Sequence, residues 1–460
     1  MKTTIVGRIL GLLASAAVLG GCGSADVAQE PGQGSGAEPF GGAVSGAPQA
    51  PAAPAAGANG SPAPAAGGLT GEGTPAVAGL NGNNTGASPM APPSGAVPPA
   101  VVPPAAQPPG PVSVPGAAEP TDCVIPPVIT TPVGYGSATT GGGNAAPVVV
   151  STYDQAQAVL DDYRDAFAEG TERALVLRYT GTFNFSSITD VCAQHLKEAQ
   201  ILEVKELENV TILGAAGSSA NFGIKVSRAK NVIVRNMTLG LLPGGGSSDA
   251  ITLEGNDTNG DVENVWIDHN ELFSSTKDDC EGAGDTEFDG LIDIKKGARR
   301  ITVSYNYLHD HQKTGLLGSS DTDATERYVT FHHNRYENVV SRTPLHRFGF
   351  IHLFNNYFGT ITSSGINVRM GGVALVESNF FENAHNPVTS RYSDGVGFWD
   401  LRNNHVGPNV TWDVEEDTLA NADTWQSTTT FPQNELGYAY TPDRAGCVKQ
   451  IVAAQAGAKL

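Results

Sequence analysis

Hydrophobic and polar positions follow two rhythms along the chain. Between Thr152 and Gly170 the apolar residues Ala156, Val159, Leu160, Tyr163, Ala166 and Phe167 recur at spacings of three and four, the period of one helix face. Ser151 or Thr152 can accept from the first free backbone N–H groups, and Gly170 can end the helix. One amphipathic helix is predicted there. From Val204 onward, short β-branched runs alternate with polar turns. Alternation at period two puts successive side chains on opposite faces of a strand.

Six of these runs share one register: apolar, any, apolar, any, any, Asn. They are Val265-x-Ile267 to Asn270, Ile301-x-Val303 to Asn306, Val329-x-Phe331 to Asn334, Ile351-x-Leu353 to Asn356, Ala374-x-Val376 to Asn379, and Trp399-x-Leu401 to Asn404. The asparagines are 36, 28, 22, 23 and 25 residues apart. An earlier copy, Val232-x-Val234 to Asn236, is one residue tighter, and Asn209 to Leu213 reads as another. The shorter intervals suit one coil of a solenoid, with loops absorbing the longer ones. No helical rhythm separates the copies, which excludes leucine-rich horseshoes with helical backs and βαβ folds. An asparagine at one corner of every coil can hydrogen-bond its neighbours up the column, a recurrence that a β-sandwich does not need. The expected fold is all-β: a right-handed parallel β-helix, with the Thr152–Gly170 helix capping its N-terminal end against edge pairing.

Composition removes a quarter of the chain from this body. Of the 30 prolines, 20 lie in the first 120 residues, and from Gly23 to Pro120 there is no Lys or Arg and one aromatic, Phe40. Such a stretch cannot offset its chain entropy by apolar burial, so a disordered linker is expected. Ahead of it, Lys2 and Arg8 precede an apolar stretch from Ile9 to Leu19, the pattern of a secretory signal too short to span a bilayer. The ending Leu19-Gly20-Gly21-Cys22 resembles a bacterial lipobox, in which Cys22 would carry lipid. The expected organisation is a signal at 1–21, a lipidated Ala/Pro/Gly-rich tether at 22–120 and one β-helix domain at 121–460. That places the protein in the exported space of a bacterium, on the outer membrane or cell surface, or secreted. The membrane is engaged only through the lipid anchor, and a monomer is expected.

Export makes the cysteines informative. Cys123, Cys192, Cys280 and Cys447 lack a CxxC pair, which argues against zinc, and they allow two disulfides in three connectivities. Removing Lys2, Arg8 and five acids with the first 120 residues leaves 42 acids against 25 bases, a net charge of −17. An acidic body argues against nucleic acid and repels an acidic substrate unless a metal or a local basic cluster intervenes.

Two clusters carry candidate chemistry. Asp289 and Asp293 lie on one face of a strand-like run, with Asp249 one coil earlier. Three carboxylates without Cys or His suit a hard cation, and flexible spacing favours Ca²⁺. Bases are scarce, so Arg342-Thr-Pro-Leu-His-Arg347, with Lys313 one coil before, stands out; together these residues can hold carboxylates.

Between Cys192 and Asn404 the chain resembles the β-helical extracellular pectate lyases. The residues carrying the resemblance are Gly217-Ser-Ser-Ala-Asn-Phe-Gly223, Val265-Trp-Ile-Asp-His269, Asp289 to Asp293, Ser304-Tyr-Asn306, Lys313, Leu317-Gly-Ser-Ser-Asp321, Arg342 to Gly349 and Asn386-Pro-Val-Thr-Ser-Arg-Tyr392. The resemblance implies a parallel β-helix and β-elimination in de-esterified polygalacturonan (pectate), giving 4,5-unsaturated products. By position it implies Asp249, Asp289 and Asp293 as Ca²⁺ ligands, Lys313 and Arg347 as substrate holders and Arg342 as the base. An arginine base requires its pKa to fall far below 12, which neighbouring cations favour. Cys192 and Cys280 fall at family cysteine positions, which pairs them and leaves Cys123 with Cys447. Two departures stand out. Ser247 replaces an aspartate found in many members, and Asp289 stands where some relatives carry Glu. Asp268 and His269 are read as structural, and His332, His333, His346 and His352 as surface or core residues.

Three rivals are distinguishable. A metal-free pectin lyase on the same fold has no use for three convergent aspartates. A polygalacturonase needs paired carboxylates, for which Asp278 and Asp279 are the adjacent acids. A non-catalytic pectate-binding surface module has no need of Arg342, Lys313 and Arg347 together.

Overall fold

The structure, a computed structural model, describes residues 118–243, 248–277, 279–280, 288–412 and 425–460. The signal, Cys22 and nearly all of the tether lie outside the described residues, as do Ser247 and Asp278.

The predicted helix forms over Tyr153–Glu169. Thr152 Oγ1 accepts from Gln155 N, and Gly170 closes the helix in the left-handed conformation at φ 74°. Ala156, Leu160 and Tyr163 are its buried face, and they join the core cluster that also contains Val150, Leu177 and Leu202 of the first coils.

The strands stack into three parallel sheets of ten, eight and seven strands. The ten-stranded sheet contains the repeated runs: Val265 pairs with Ile301, Ile301 with Val329, Val329 with Ile351, Ile351 with Ala374 and Ala374 with Trp399. One coil shows how the sheets connect. The chain runs along Ala298–Ser304 in the ten-stranded sheet, turns at Asn306, follows Tyr307–Lys313 in the seven-stranded sheet and bends into Gly315–Leu317 of the eight-stranded sheet. The inward side chains of all three sheets fill one continuous core, in which Val265, Ile301, Val329, Ile351 and Ala374 have no exposed surface.

The asparagine column is a hydrogen-bonded ladder. Asn270 Nδ2 donates to Asn306 Oδ1 at 2.9 Å, Asn306 to Asn334 at 2.9 Å, Asn334 to Asn356 at 2.9 Å, Asn356 to Asn379 at 3.0 Å and Asn379 to Asn404 at 3.1 Å. The backbone N–H of each donor residue points to the same Oδ1. Each amide therefore closes a corner where the backbone leaves one sheet before it joins the next, satisfying groups that burial would otherwise leave orphaned. The tighter early copy also has a reason: Thr238 pairs with Glu271, so Met237 stands level with Asn270 and Asn236 falls one residue short.

Both cysteine pairs form disulfides, Cys192 with Cys280 and Cys123 with Cys447. The second ties the N-terminal segment to the residue preceding the helix Val448–Gln455.

Candidate active site

The predicted site residues meet where the seven-stranded sheet hands over to the eight-stranded one. Asp249 precedes the strand Ile251–Glu254, and Asp289 precedes Ile292–Lys295, which contains Asp293. Backbone bonds carry this corner from coil to coil: Ala250 N donates to Gly290 O, Leu291 N to Thr314 O, and Gly315 N to Arg342 O. Asp249, Gly290, Lys313 and Arg342 thus occupy the same corner of successive coils. Arg342 lies between the strands Arg335–Ser341 and Leu345–Arg347, with a left-handed φ of 64°. That conformation recurs at the turns of this fold, as at Arg228, Lys296 and Arg300.

Asp249 is fixed on both oxygens. Oδ1 accepts from Gly290 N at 3.0 Å, and Oδ2 accepts from Thr252 Oγ1 at 2.8 Å and Lys295 Nζ at 2.9 Å. Lys295 Nζ also stands 2.9 Å from Asp293 Oδ2. Burial and the Asp249 charge raise the carboxyl pKa values of Asp289 and Asp293, Asp293 strongly. Burial alone would lower the pKa of Lys295, but Asp293 and Asp249 outweigh it and raise it. Two of the three carboxylates contact this one ammonium, and Asp289 adds a third acid beside them, so the cluster holds more acids than its own lysine pairs. Among the described residues, no three His, Cys, Asp or Glu side chains already stand in metal-holding geometry.

On the basic side, Arg347 Nε is 2.5 Å from Asp321 Oδ1 and its Nη1 donates to Gly318 O at 3.0 Å. The Arg342 guanidinium pKa is lowered, first by burial and then by Arg347, while Asp293, Asp289 and Asp249 push it back up. Desolvation leads; Asp293, acting the other way, comes next, ahead of Arg347.

The family profile described as pectate lyase matches residues 127–460. The chain is 44% identical over 345 residues to pectate lyase 3 of Pectobacterium atrosepticum, covering 70% of this chain and 89% of that one. The chain belongs to the pectate lyase family. Among solved structures, pectate lyase II from Xanthomonas campestris is 52% identical, with a TM-score of 0.67 over 71% of this chain and 98% of that one. A mutant of pectate lyase C in complex with pentagalacturonic acid is 40% identical, with a TM-score of 0.64 over 72% and 96% of the two chains. Pectate lyase C from Erwinia chrysanthemi, solved with Ca²⁺, is 38% identical at the same TM-score. The chain is therefore an enzyme of the pectate lyase class on a parallel β-helix.

Two residues of this candidate site escaped the sequence reading. Lys295 lies two positions after Asp293 on the same strand, so alternation alone puts both on one face. Arg369 ends the strand Ile366–Arg369 and pairs in register with Arg347. Burial, then Arg347 and Arg342, lower its pKa to about 10, marking a third guanidinium in the basic cluster.

The residues read as structural are buried. Asp268 has no exposed surface; it accepts from Ser304 Oγ at 2.6 Å and contacts Arg235 Nε and His269 Nδ1, each at 2.7 Å. Its position in the ten-stranded sheet is away from the aspartate–arginine corner. His332, His333, His346 and His352 are all buried, so they are core histidines.

Proposed function

We propose that this enzyme cleaves de-esterified polygalacturonan by β-elimination, with Ca²⁺ as cofactor and a 4,5-unsaturated oligogalacturonide as product. The observation that carries the reading is the gathering of three aspartates with Lys313 and Arg342 around one corner of successive coils, with Arg347 at the end of the short strand that follows. Relatives solved with Ca²⁺ and with pentagalacturonic acid support it. The donor set suits a hard cation: all oxygen, and with surplus negative charge after Lys295 is counted. Asp249, Asp289 and Asp293 would hold Ca²⁺, which when bound draws charge from a uronate carboxylate and so acidifies the proton at C5.

The protein's own groups do the rest. Arg347, braced by Asp321 and the Gly318 carbonyl, presents a fixed guanidinium fork to substrate carboxylates, and Lys313 adds a second cation. Arg342, its pKa lowered by burial, takes the C5 proton. The C5–H electrons form the C4–C5 double bond, and the C4 oxygen leaves with the bond that joined it to the ring.

Polygalacturonate should yield an ultraviolet-absorbing product. A chelator or Arg342→Ala should abolish it, and the variant should still bind the polymer. Activity indifferent to chelator, or higher on methyl-esterified pectin, would instead assign a metal-free pectin lyase. Tight binding without product would leave a non-catalytic binding module.

We also propose that residues 1–21 are a cleaved export signal, that Cys22 carries lipid and that 22–120 tethers a single catalytic domain, 121–460, to a bacterial membrane. Cys22→Ser should move the protein from the membrane fraction to the soluble exported fraction. An unchanged distribution would remove the anchor.

A further inference from the structure

Arg347 ends a strand of three residues, too short to fix a long side chain by itself. The loop 318–327, between the strands Gly315–Leu317 and Tyr328–His332, holds it at three points. Arg327 Nη1 donates to the Arg347 backbone carbonyl at 3.1 Å. Asp321 Oδ1 accepts from Arg347 Nε at 2.5 Å, and Gly318 O accepts from its Nη1 at 3.0 Å.

The loop is itself pinned. Asp323 accepts from Ser319 N at 2.9 Å and Lys296 N at 3.0 Å, and pairs with Arg327 Nη2 at 2.5 Å. Arg327 has no exposed surface. Its Nη1 also donates to the carbonyls of Asp323 and Thr325, at 3.0 and 2.9 Å, while its Nε has no partner among the described residues. A buried network of this density leaves the loop little freedom. Gly318 completes the fit: φ is 95°, and a Cβ there would lie 3.1 Å from Arg347 Cβ and 3.3 Å from Arg327 Cζ.

Asp321 supplies the charge-assisted bond in this bracket, the stronger kind. Burial would raise its carboxyl pKa, but the hydrogen bond and charge of Arg347 lower it, with the Asp394 backbone and Arg369 acting in the same sense. As a bare charge, an acid beside the basic cluster works against a polyanionic substrate. Its value lies in orientation. Bonds at Nε and Nη1 fix the plane of the guanidinium, and so the direction of its other N–H groups.

We propose that Asp321 is a positioning residue, which aims the Arg347 fork at a substrate carboxylate. This rests on the reading that Arg347 holds polygalacturonate for elimination. Turnover would be followed by ultraviolet absorbance in saturating Ca²⁺, giving kcat and KM for each variant. Asp321→Ala should lower kcat/KM about tenfold or more. Asp321→Asn, which keeps an acceptor for Nε, should recover most of that loss. In an Arg347→Ala background, Asp321→Ala should cost nothing further. Should Asp321→Ala fail to fold, Asp321→Ser, too short to reach Nε, must show the loss. Were Asp321 only a charge, Ala and Asn would both raise kcat/KM by relieving repulsion, and the proposal falls. It falls too if the full loss persists in the Arg347→Ala background, which would make the acid structural. No ultraviolet product from the wild type would overturn the elimination reading and this inference with it. Normal wild-type turnover with unaffected Asp321 variants overturns this inference alone.

Discussion

At the residue scale the site depends on space as much as on charge. A Cβ on Gly290 would lie 2.5 Å from Asp293 Oδ1 and 3.0 Å from Asp249 Oδ1, closer than real contacts allow for the nearer oxygen. Gly290→Ala should therefore push the two carboxylates apart. We expect a loss of activity of about 10- to 100-fold, the scale of an ångström misplacement, with more Ca²⁺ needed for half-maximal rate. An unchanged calcium profile would deny the aspartates their assigned role. Lys295 tests the same cluster from the other side. Lys295→Met strands two buried carboxylates, at a cost of about 3–5 kcal/mol, and Ca²⁺ should recover most of that loss in thermal unfolding. Equal loss with and without Ca²⁺ would mean that the ion binds elsewhere.

At the element scale the asparagine ladder predicts a graded response along the column. An internal member serves two neighbours: Asn334 Oδ1 accepts from Asn306 N and Nδ2, while its own N and Nδ2 donate to Asn356. Asn404 accepts from Asn379 on one side only and donates to Val376 O. Asn334→Leu should cost about 3 kcal/mol or more in urea unfolding, because several buried groups lose their partners, and Asn404→Leu distinctly less. Equal costs would show that the rungs act independently. The same column explains what was legible beforehand. Period-two burial and one recurring amide revealed the ten-stranded sheet and its register, because both are imposed on every coil. The other two sheets left less trace: strands such as Gly315–Leu317 and Thr238–Gly240 have three residues each, too few to establish a period, and the longer Tyr307–Lys313 buries Leu308, His311 and Gln312 without an apolar alternation. In the site, clustered acids and rare bases were visible as departures from composition. Arg369 was not, because a single arginine joins the cluster only through its register with Arg347.

At the scale of the whole molecule, an acidic body keeps several of its histidines buried, where burial disfavours their charged form. His332, His333, His346 and His352 are all displaced downward in pKa, burial leading in each case, with His346 at about 3. An unfolded histidine titrates near 6.5. Between that value and the depressed folded one, the unfolded chain binds more protons, so stability rises with pH across the window. The histidine contribution is therefore complete above about pH 6.5 and lost progressively as pH falls, by about 1.4 kcal/mol per pH unit for each histidine kept neutral. Three groups oppose this trend. Asp289 and Asp293 have raised pKa values, and His309 is raised because Glu271 and Asp310 outweigh its burial. Carboxylates with lowered pKa values, such as Glu254 at about 2, act with the histidines but begin to matter only below about 4.5. Urea unfolding at fixed ionic strength should thus show stability falling from pH 6.5 toward 5, above the range in which the carboxylates with lowered pKa values matter. His346→Gln should flatten that slope by about one proton. A profile level down to pH 5, or a variant with the wild-type slope, would mean that these rings take up protons in the folded state.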